Sequence, residues 1–265
     1  MRLDDAITPF RHSVKQLVRT ERFQWLSRPA RLTWYFYRSV GELVKAPSVL
    51  LNSIGDIRSA SIDRQVEFTF SNFGGMFRPF QNRVELARLL EHVVDLKPTN
   101  IVEIGTARGG TLFLLSCVAN PAARIVSIDL PAGLYGGGYP TWKGYLYRKL
   151  MGKRQRLHLI RGNSHDDDII RKAVDIFNGE PIDLLFIDGD HSYCGAKSDF
   201  LRYRTHVREG GWIVFHDILH NIHDKDITVA PLWREVVGKY QSTEIVESYD
   251  QGQFGLGVIT SPAVW

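Results

Sequence analysis

Apolar positions change their period several times along the chain. From Val84 to Leu96, the residues Leu86, Leu89, Leu90, Val93 and Val94 recur three or four apart, which predicts an amphipathic helix. After Lys97-Pro98 the spacing collapses into a short apolar run, Ile101-Val102-Glu103-Ile104, that stops at Gly105 and predicts a strand. Thr111 to Val118 reads as a helix, Arg124 to Ile128 as a second strand and Leu157 to Ile160 as a third. Ile182 to Ile187 is nearly all apolar, as a strand covered on both faces should be. Tyr193 to His206 then predicts a helix and Gly211 to Phe215 a fifth strand. Glu244 to Glu247 and Phe254 to Ile259 predict two further strands joined by a polar turn, a closing antiparallel hairpin. Strands separated by helices imply an α/β fold with a parallel, doubly wound sheet and helices on both faces.

The front of the chain follows a different pattern. Phe23 to Leu51 mixes Trp25, Trp34, Tyr35, Phe36 and Tyr37 with Arg22, Arg28, Arg31 and Arg38, and predicts amphipathic helices broken near Pro29 and Pro47. Residues 1–70 are therefore expected to form an N-terminal helical extension, and residues 71–265 the main domain. The apolar stripe is expected to cover the core or to pair with a second subunit, giving a homo-oligomer. Peripheral contact of residues 1–60 with an anionic membrane surface is the alternative. Two loops are expected to line a pocket: SNFGGMFRPF at 71–80 with Gln81, and the Gly-rich stretch Gly133 to Gly144. In the latter, Tyr135, Tyr139 and Trp142 are placed to stack on a sugar face or an aromatic ring.

Charge and composition narrow the class. The chain has 265 residues, 44% of them hydrophobic and 23% charged, enough for a full α/β core. Residues 1–60 hold ten Lys and Arg against five Asp and Glu, whereas the rest hold 23 against 24. The basic character thus belongs to the front, and a neutral main domain argues against a nucleic-acid partner. Cys117 and Cys194 form no CxxC motif, so a disulfide framework is excluded. No apolar run followed by a small-residue cleavage site follows MRLDD, and a cytoplasmic location is the expectation.

The first strand runs into Glu103-Ile104-Gly105-Thr106-Ala107-Arg108-Gly109-Gly110. Glycines here permit a tight turn into a helix and close approach to a ligand. The spacing is E-x-G-x-x-x-G-G rather than the G-x-G-x-x-G that seats a pyrophosphate. S-adenosylmethionine has no phosphate and carries a sulfonium and an ammonium, which suit Glu103. Gly105, Thr106 and Gly109 complete the cofactor-binding loop. Asp129, ending the second strand, is placed to accept both ribose hydroxyls. Asn163 and Ser164, after the third strand, are placed for adenine, or serve as ordinary turn residues.

Asp188-Gly189-Asp190-His191 and His216-Asp217 end the fourth and fifth strands. Ligands gather at such strand ends in open parallel sheets, so Asp188 and Asp217 are expected beside the methyl donor. Two carboxylates with a histidine suit a divalent cation. Asp188 is counted here with the cofactor contacts, the catalytic residues and the metal ligands. The plain alternative is that Asp188 and Asp190 form turns and His191 caps a helix. A metal lowers the pKa of an oxygen bound to it, and a neighbouring base can take that oxygen's proton.

Together VEIGTARGGT, SIDL, RGNSHD, LLFIDGDHSY and GGWIVFHDI resemble the class I S-adenosylmethionine-dependent methyltransferases. They are most similar to the subgroup of metal-dependent macrolide-sugar O-methyltransferases and cephalosporin hydroxylase-like proteins. The resemblance spans residues 72–260. It implies a Rossmann-like, seven-stranded, mostly parallel sheet and methyl transfer to a hydroxyl of a small-molecule or saccharide acceptor. By position it implies Asp188 and Asp217 as ligands of magnesium or manganese and His191 as base. His216 stands where that group has a carboxylate. Either the metal is one that accepts imidazole, or His216 is no ligand, or no metal binds. A metal-dependent hydroxylase and a non-catalytic cofactor-binding scaffold are the competing classes.

Overall fold

The computed structural model describes residues 54–71, 76–131 and 138–265. The expectations for helices over Phe23 to Leu51, for membrane or subunit contact by residues 1–60 and for Tyr135 lie outside the described residues. Among the described residues no helix is long and apolar enough to cross a membrane.

Chain order alternates as the apolar pattern requires. Helix α1 (Ile62–Ser71) and α2 (Arg83–Leu96) precede β1 (Asn100–Ile104). Then follow α3 (Gly110–Val118), β2 (Arg124–Asp129), α4 (Thr141–Leu150), β3 (Arg156–Arg161) and α5 (Asp167–Asp175). The second half runs β4 (Ile182–Ile187), α6 (Tyr193–Tyr203), β5 (Val207–His216), α7 (Val229–Val237), β6 (Ser242–Ile245) and β7 (Leu256–Thr260). The sheet has seven strands in the order β3-β2-β1-β4-β5-β7-β6. All pairings are parallel except those of β7, which inserts antiparallel between β5 and β6. The strand order reverses between β1 and β4, where a crevice opens at the carboxyl ends of parallel strands.

Both faces of the sheet are covered. Val102, Ile104, Val126, Leu185 and Phe215 join Ile170 of α5, Phe200 of α6 and Trp233 of α7 in one core cluster. Helices α1, α2 and α3 pack on one another, and Phe68 of α1 meets Phe113 of α3 at 5.6 Å between ring centroids. Local signals set the helix ends. Asn82 caps α2 by accepting from the Val84 and Glu85 amides, and Lys97 ends it in the left-handed region at φ 45°.

Three expectations need correction. The described residues 54–70 fall in the same compact unit as the sheet, whereas the extension was expected to run to residue 70. Residues 54–70 belong to the main domain because Val66, Phe68 and Phe70 of α1 are buried and Arg58 is tied to the core. The Gly133 to Gly144 loop ends earlier than expected, since α4 starts at Thr141. Helix α7 was not anticipated between the fifth strand and the hairpin, although Val229, Leu232, Trp233 and Val236 carry its buried stripe.

Arg58 shows how firmly the front of the domain is attached. Its guanidinium donates to Ser116 Oγ at 2.8 Å, Ser116 O at 2.9 Å, Leu150 O at 2.9 Å and Gln155 Oε1 at 3.0 Å. Arg58→Ala removes four hydrogen bonds that tie this segment to α3, α4 and Gln155 and is expected to cost about 2–4 kcal/mol in urea unfolding. A loss below about 0.5 kcal/mol, the level of an ordinary surface substitution, would mean that residues 54–71 are not part of the cooperative core.

Candidate active site

The glycine loop after β1 is shaped as much by neighbouring protein as by any ligand. Gly105 has φ +101°, and a Cβ there would lie 2.1 Å from the Asp188 carbonyl oxygen. Only glycine lets the ends of β1 and β4 come this close. Gly109 has φ +76°, and a Cβ there would lie 2.5 Å from the Tyr147 ring. Tyr147 of α4 covers the loop and donates to Ala107 O at 3.3 Å. These glycines therefore also serve packing against Asp188 and Tyr147, beyond the tight turn and close ligand approach expected of them.

Glu103 is wholly buried. Its Oε2 accepts from Ser127 Oγ at 2.5 Å, and Ser127 Oγ is 2.6 Å from Thr106 Oγ1. Thr106 thus supports Glu103 through Ser127. Glu103 Oε1 is buried with no hydrogen-bond partner among the described residues. Burial pushes the Glu103 carboxyl up to about 8, against the Ser127 hydrogen bond. Asp129 is also buried, and burial raises it to about 6 although the Gly138 and Ala107 amides donate to it. The Ala107 amide reaches Asp129 Oδ2 at 2.9 Å. The orphaned buried oxygen of Glu103 and the carboxylate of Asp129 at the neighbouring strand end fit a cationic ligand with ribose hydroxyls.

Beyond β3 the two expected adenine contacts differ. Asn163 is committed to its own turn: its Oδ1 accepts from the His165 amide and its Nδ2 donates to Asp166. This is the plain turn role. Ser164 is buried, and its carbonyl accepts from Tyr203 at 3.2 Å. The sequence reading missed the neighbouring pair His165 and Asp199, 3.4 Å apart. Asp199 is fully buried with both oxygens lacking hydrogen-bond partners among the described residues. A carboxylate on the Ala196, Phe200 and Tyr203 face of α6 was the available signal.

The ends of β4 and β5 bring four groups together. Asp188, His191, His216 and Asp217 each offer a ligand atom, all within 4.8 Å of one another. His216 Nδ1 lies 2.8 Å from Asp188 Oδ1 and 3.3 Å from Asp217 Oδ2. Yet Asp188 Oδ1, His216 Nδ1 and His216 Nε2 are buried without an aligned hydrogen bond among the described residues. Groups this near that do not point at each other fit a shared third partner. His191 Nδ1 is 2.8 Å from Asp217 Oδ2, and as donor it leaves Nε2 as the basic nitrogen. Asp217 holds φ 61°, in the left-handed region. Burial opposes the charged form of Asp217, but the His216 charge and the His191 hydrogen bond outweigh it and hold the carboxyl well below its usual range. Burial likewise opposes charge on His216, and Asp188 and Asp217 outweigh it to raise the imidazole well above normal. The cluster demands positive charge, which here is carried by imidazole protons.

Neighbouring residues sort into pocket and scaffold. Asp190 forms a turn by accepting from the Ser192 amide, and Ser192, not His191, caps α6. Tyr139 is buried, with its ring against that of Tyr147 at 5.0 Å between centroids. Gln81 does reach the site, donating from Nε2 to Asp188 Oδ2 at 2.9 Å. Phe80 is 54% exposed beside it and lies under the Arg108 guanidinium at 4.7 Å. His220 and His223 are exposed and apart from the cluster.

Sheet order, glycine loop and strand-end acids together define a class I methyltransferase architecture. Residues 102–218 match the family model described as "Methyltransferase domain". An uncharacterized protein of Acanthamoeba polyphaga mimivirus is 32% identical over 141 residues, covering 53% of this chain and 61% of its own length. The O-methyltransferase TomG from Streptomyces achromogenes, solved with SAM, is 15% identical, with a TM-score of 0.52 over 77% of this chain and 91% of that one. A caffeoyl-CoA O-methyltransferase candidate from Staphylococcus aureus is 16% identical, with a TM-score of 0.53 over 80% and 100% of the two chains. At these identities the structural likeness concerns the fold.

The raised Glu103 carboxyl has a measurable sign. The folded state binds its proton more tightly than the unfolded state, so its contribution to stability is present below the ordinary value of 4.5 and is lost as pH rises to about 8. Urea unfolding of wild type and Glu103→Gln at pH 5 and pH 8 isolates the effect. The variant is expected to gain on wild type by roughly 3–5 kcal/mol across that window. Equal pH slopes would mean that Glu103 is ionised in the folded protein.

Proposed function

We propose that this chain transfers a methyl group from S-adenosylmethionine to a hydroxyl oxygen of a small molecule or saccharide, with a divalent ion and a histidine base. The observation that carries the reading is the convergence of Asp188, His191, His216 and Asp217 beside the loop that starts at Gly105, across a β1 to β4 contact too tight for a side chain.

S-adenosylmethionine supplies an activated methyl group on a sulfonium, so the protein's task is chiefly alignment and proton removal. Glu103 and Asp129 would hold its cationic and ribose parts. Asp188, His216 and Asp217 would hold the ion, which at such a site lowers the pKa of an oxygen and orients it. The imidazole in that set favours Mn²⁺, Fe²⁺ or Zn²⁺ over Mg²⁺. His191, oriented through Nδ1 by Asp217, takes the hydroxyl proton at Nε2 as the oxygen bonds to the methyl carbon. The sulfonium sulfur leaves with the bonding pair as the neutral thioether.

Two imidazoles beside two carboxylates also suit Fe²⁺ in a hydroxylase. A single set of measurements separates the readings. Chelator-treated protein is titrated with S-adenosylmethionine, and turnover is then screened over sugars and phenols with Mn²⁺ and, separately, with Fe²⁺ under air. Methyl transfer is expected, and His191→Gln is expected to lower kcat about 10²–10⁴-fold while leaving cofactor affinity within twofold. Dioxygen consumption in place of methyl transfer would establish the hydroxylase. Cofactor binding with no turnover and no effect of His191→Gln would establish a scaffold, and no cofactor binding would overturn the proposal.

A further inference from the structure

Gln81 is the buried polar residue at this site that the proposed chemistry leaves without a role. It precedes α2, is 5% exposed, and lies 107 residues from Asp188 in the chain. Its amide orientation is forced: turned over, it would set two oxygen acceptors against each other. With Nε2 on Asp188 Oδ2, the other Asp188 oxygen is the one 2.8 Å from His216 Nδ1. Gln81 Oε1 is buried and has no hydrogen-bond partner among the described residues. An unpaired buried carbonyl is costly, and this one lies one amide width from Asp188.

The base on which Gln81 stands is rigid. Asn82, the next residue, caps α2 and donates to Glu247 Oε2 at 2.7 Å. Glu85, fully buried one turn on, accepts from the Glu247 amide, Gln251 Nε2 and the Gly255 amide. The segment so fastened carries Phe254, whose ring lies 5.8 Å from that of His216. The N-terminal end of α2 and the residue before its cap thus reach the cluster from two sides, through Gln81 to Asp188 and through the 247–255 segment to His216.

We propose that Gln81 is a positioning residue for the ion centre: its amide N–H fixes the Asp188 carboxylate so that Oδ1 faces the ion, and its carbonyl accepts from an O–H held at that centre. Partners that orient a metal ligand typically contribute 10–100-fold to affinity. The inference rests on the metal reading above, and the test separates the two. Mn²⁺ binding to chelator-treated protein is followed by the electron paramagnetic resonance of the free ion, and S-adenosylmethionine affinity by calorimetry. Gln81→Met, of equal length but without the amide, is expected to weaken Mn²⁺ about 10–100-fold while cofactor affinity and melting temperature hold. Should that variant not fold, Gln81→Asn, which keeps the amide one carbon short, is expected to show a smaller loss in the same direction. Unchanged Mn²⁺ affinity in a folded variant overturns the inference alone, as does an equal loss of ion and cofactor, which marks a merely structural residue. A wild-type protein that takes up no Mn²⁺ overturns the metal reading and this inference with it.

Discussion

The backbone contact between Gly105 and Asp188 sets the dimensions of the whole site. The Asp188 amide donates to Ile104 O at 2.9 Å, and the Gly105 amide donates to Ile128 O at 2.8 Å. Three strand ends are thereby stitched at one level, at the point where the strand order reverses. Any side chain at 105 would collide with the Asp188 carbonyl, so the loop and the acid cluster can be neighbours only across a glycine. Proximity between a methyl donor and an activated hydroxyl, the main requirement of the proposed reaction, is thus built into main-chain geometry rather than left to side-chain rotamers.

Electrostatics divides the site into two parts that answer burial differently. Glu103 and Asp129 sit where burial prevails, and both are raised toward neutrality. Asp217 is buried as deeply but has two imidazoles against it, and it stays ionised. Burial raises a carboxyl toward its protonated form, and a neighbouring cation lowers it. On the Glu103 side the sulfonium of the proposed cofactor would supply the missing positive charge, while on the Asp217 side the imidazoles already hold the place that the proposed ion would take.

Much of the core was legible because it is periodic. The runs at β1, β2 and β4 are bounded by residues that end strands, and the observed limits lie within a residue of those expected. The charge-bearing strand ends were legible for the same reason, since a parallel sheet puts its ligand groups there. What escaped was set by long-range packing. No local pattern in RGNSHD signals that His165 meets Asp199 from another helix. Tyr139 read as a pocket aromatic because its loop is rich in glycine, yet Tyr147 eight residues later offers a ring to pack on. The boundary at residue 70 failed because Arg58 acts through partners at 116, 150 and 155, all distant in sequence.

The fold around His216 holds its imidazole in a set orientation. Asp217, which follows it, and Phe254, which packs on it, are non-glycine residues at φ 61° and 65°. Such conformations cost about 1–3 kcal/mol each and persist only where surroundings over-determine them. Here the surroundings are identifiable: His191 holds the Asp217 carboxylate, and Glu85 holds Gly255 next to Phe254. Strain on both sides of one imidazole, each instance braced by a buried hydrogen bond, means that the chain spends stability on the orientation of His216. A residue that only filled space would not require it. The same reasoning gives α2 its place in the site: although it precedes the first strand, its N-terminal end and the residue before its cap anchor the carboxylate of Asp188 and the ring that covers His216.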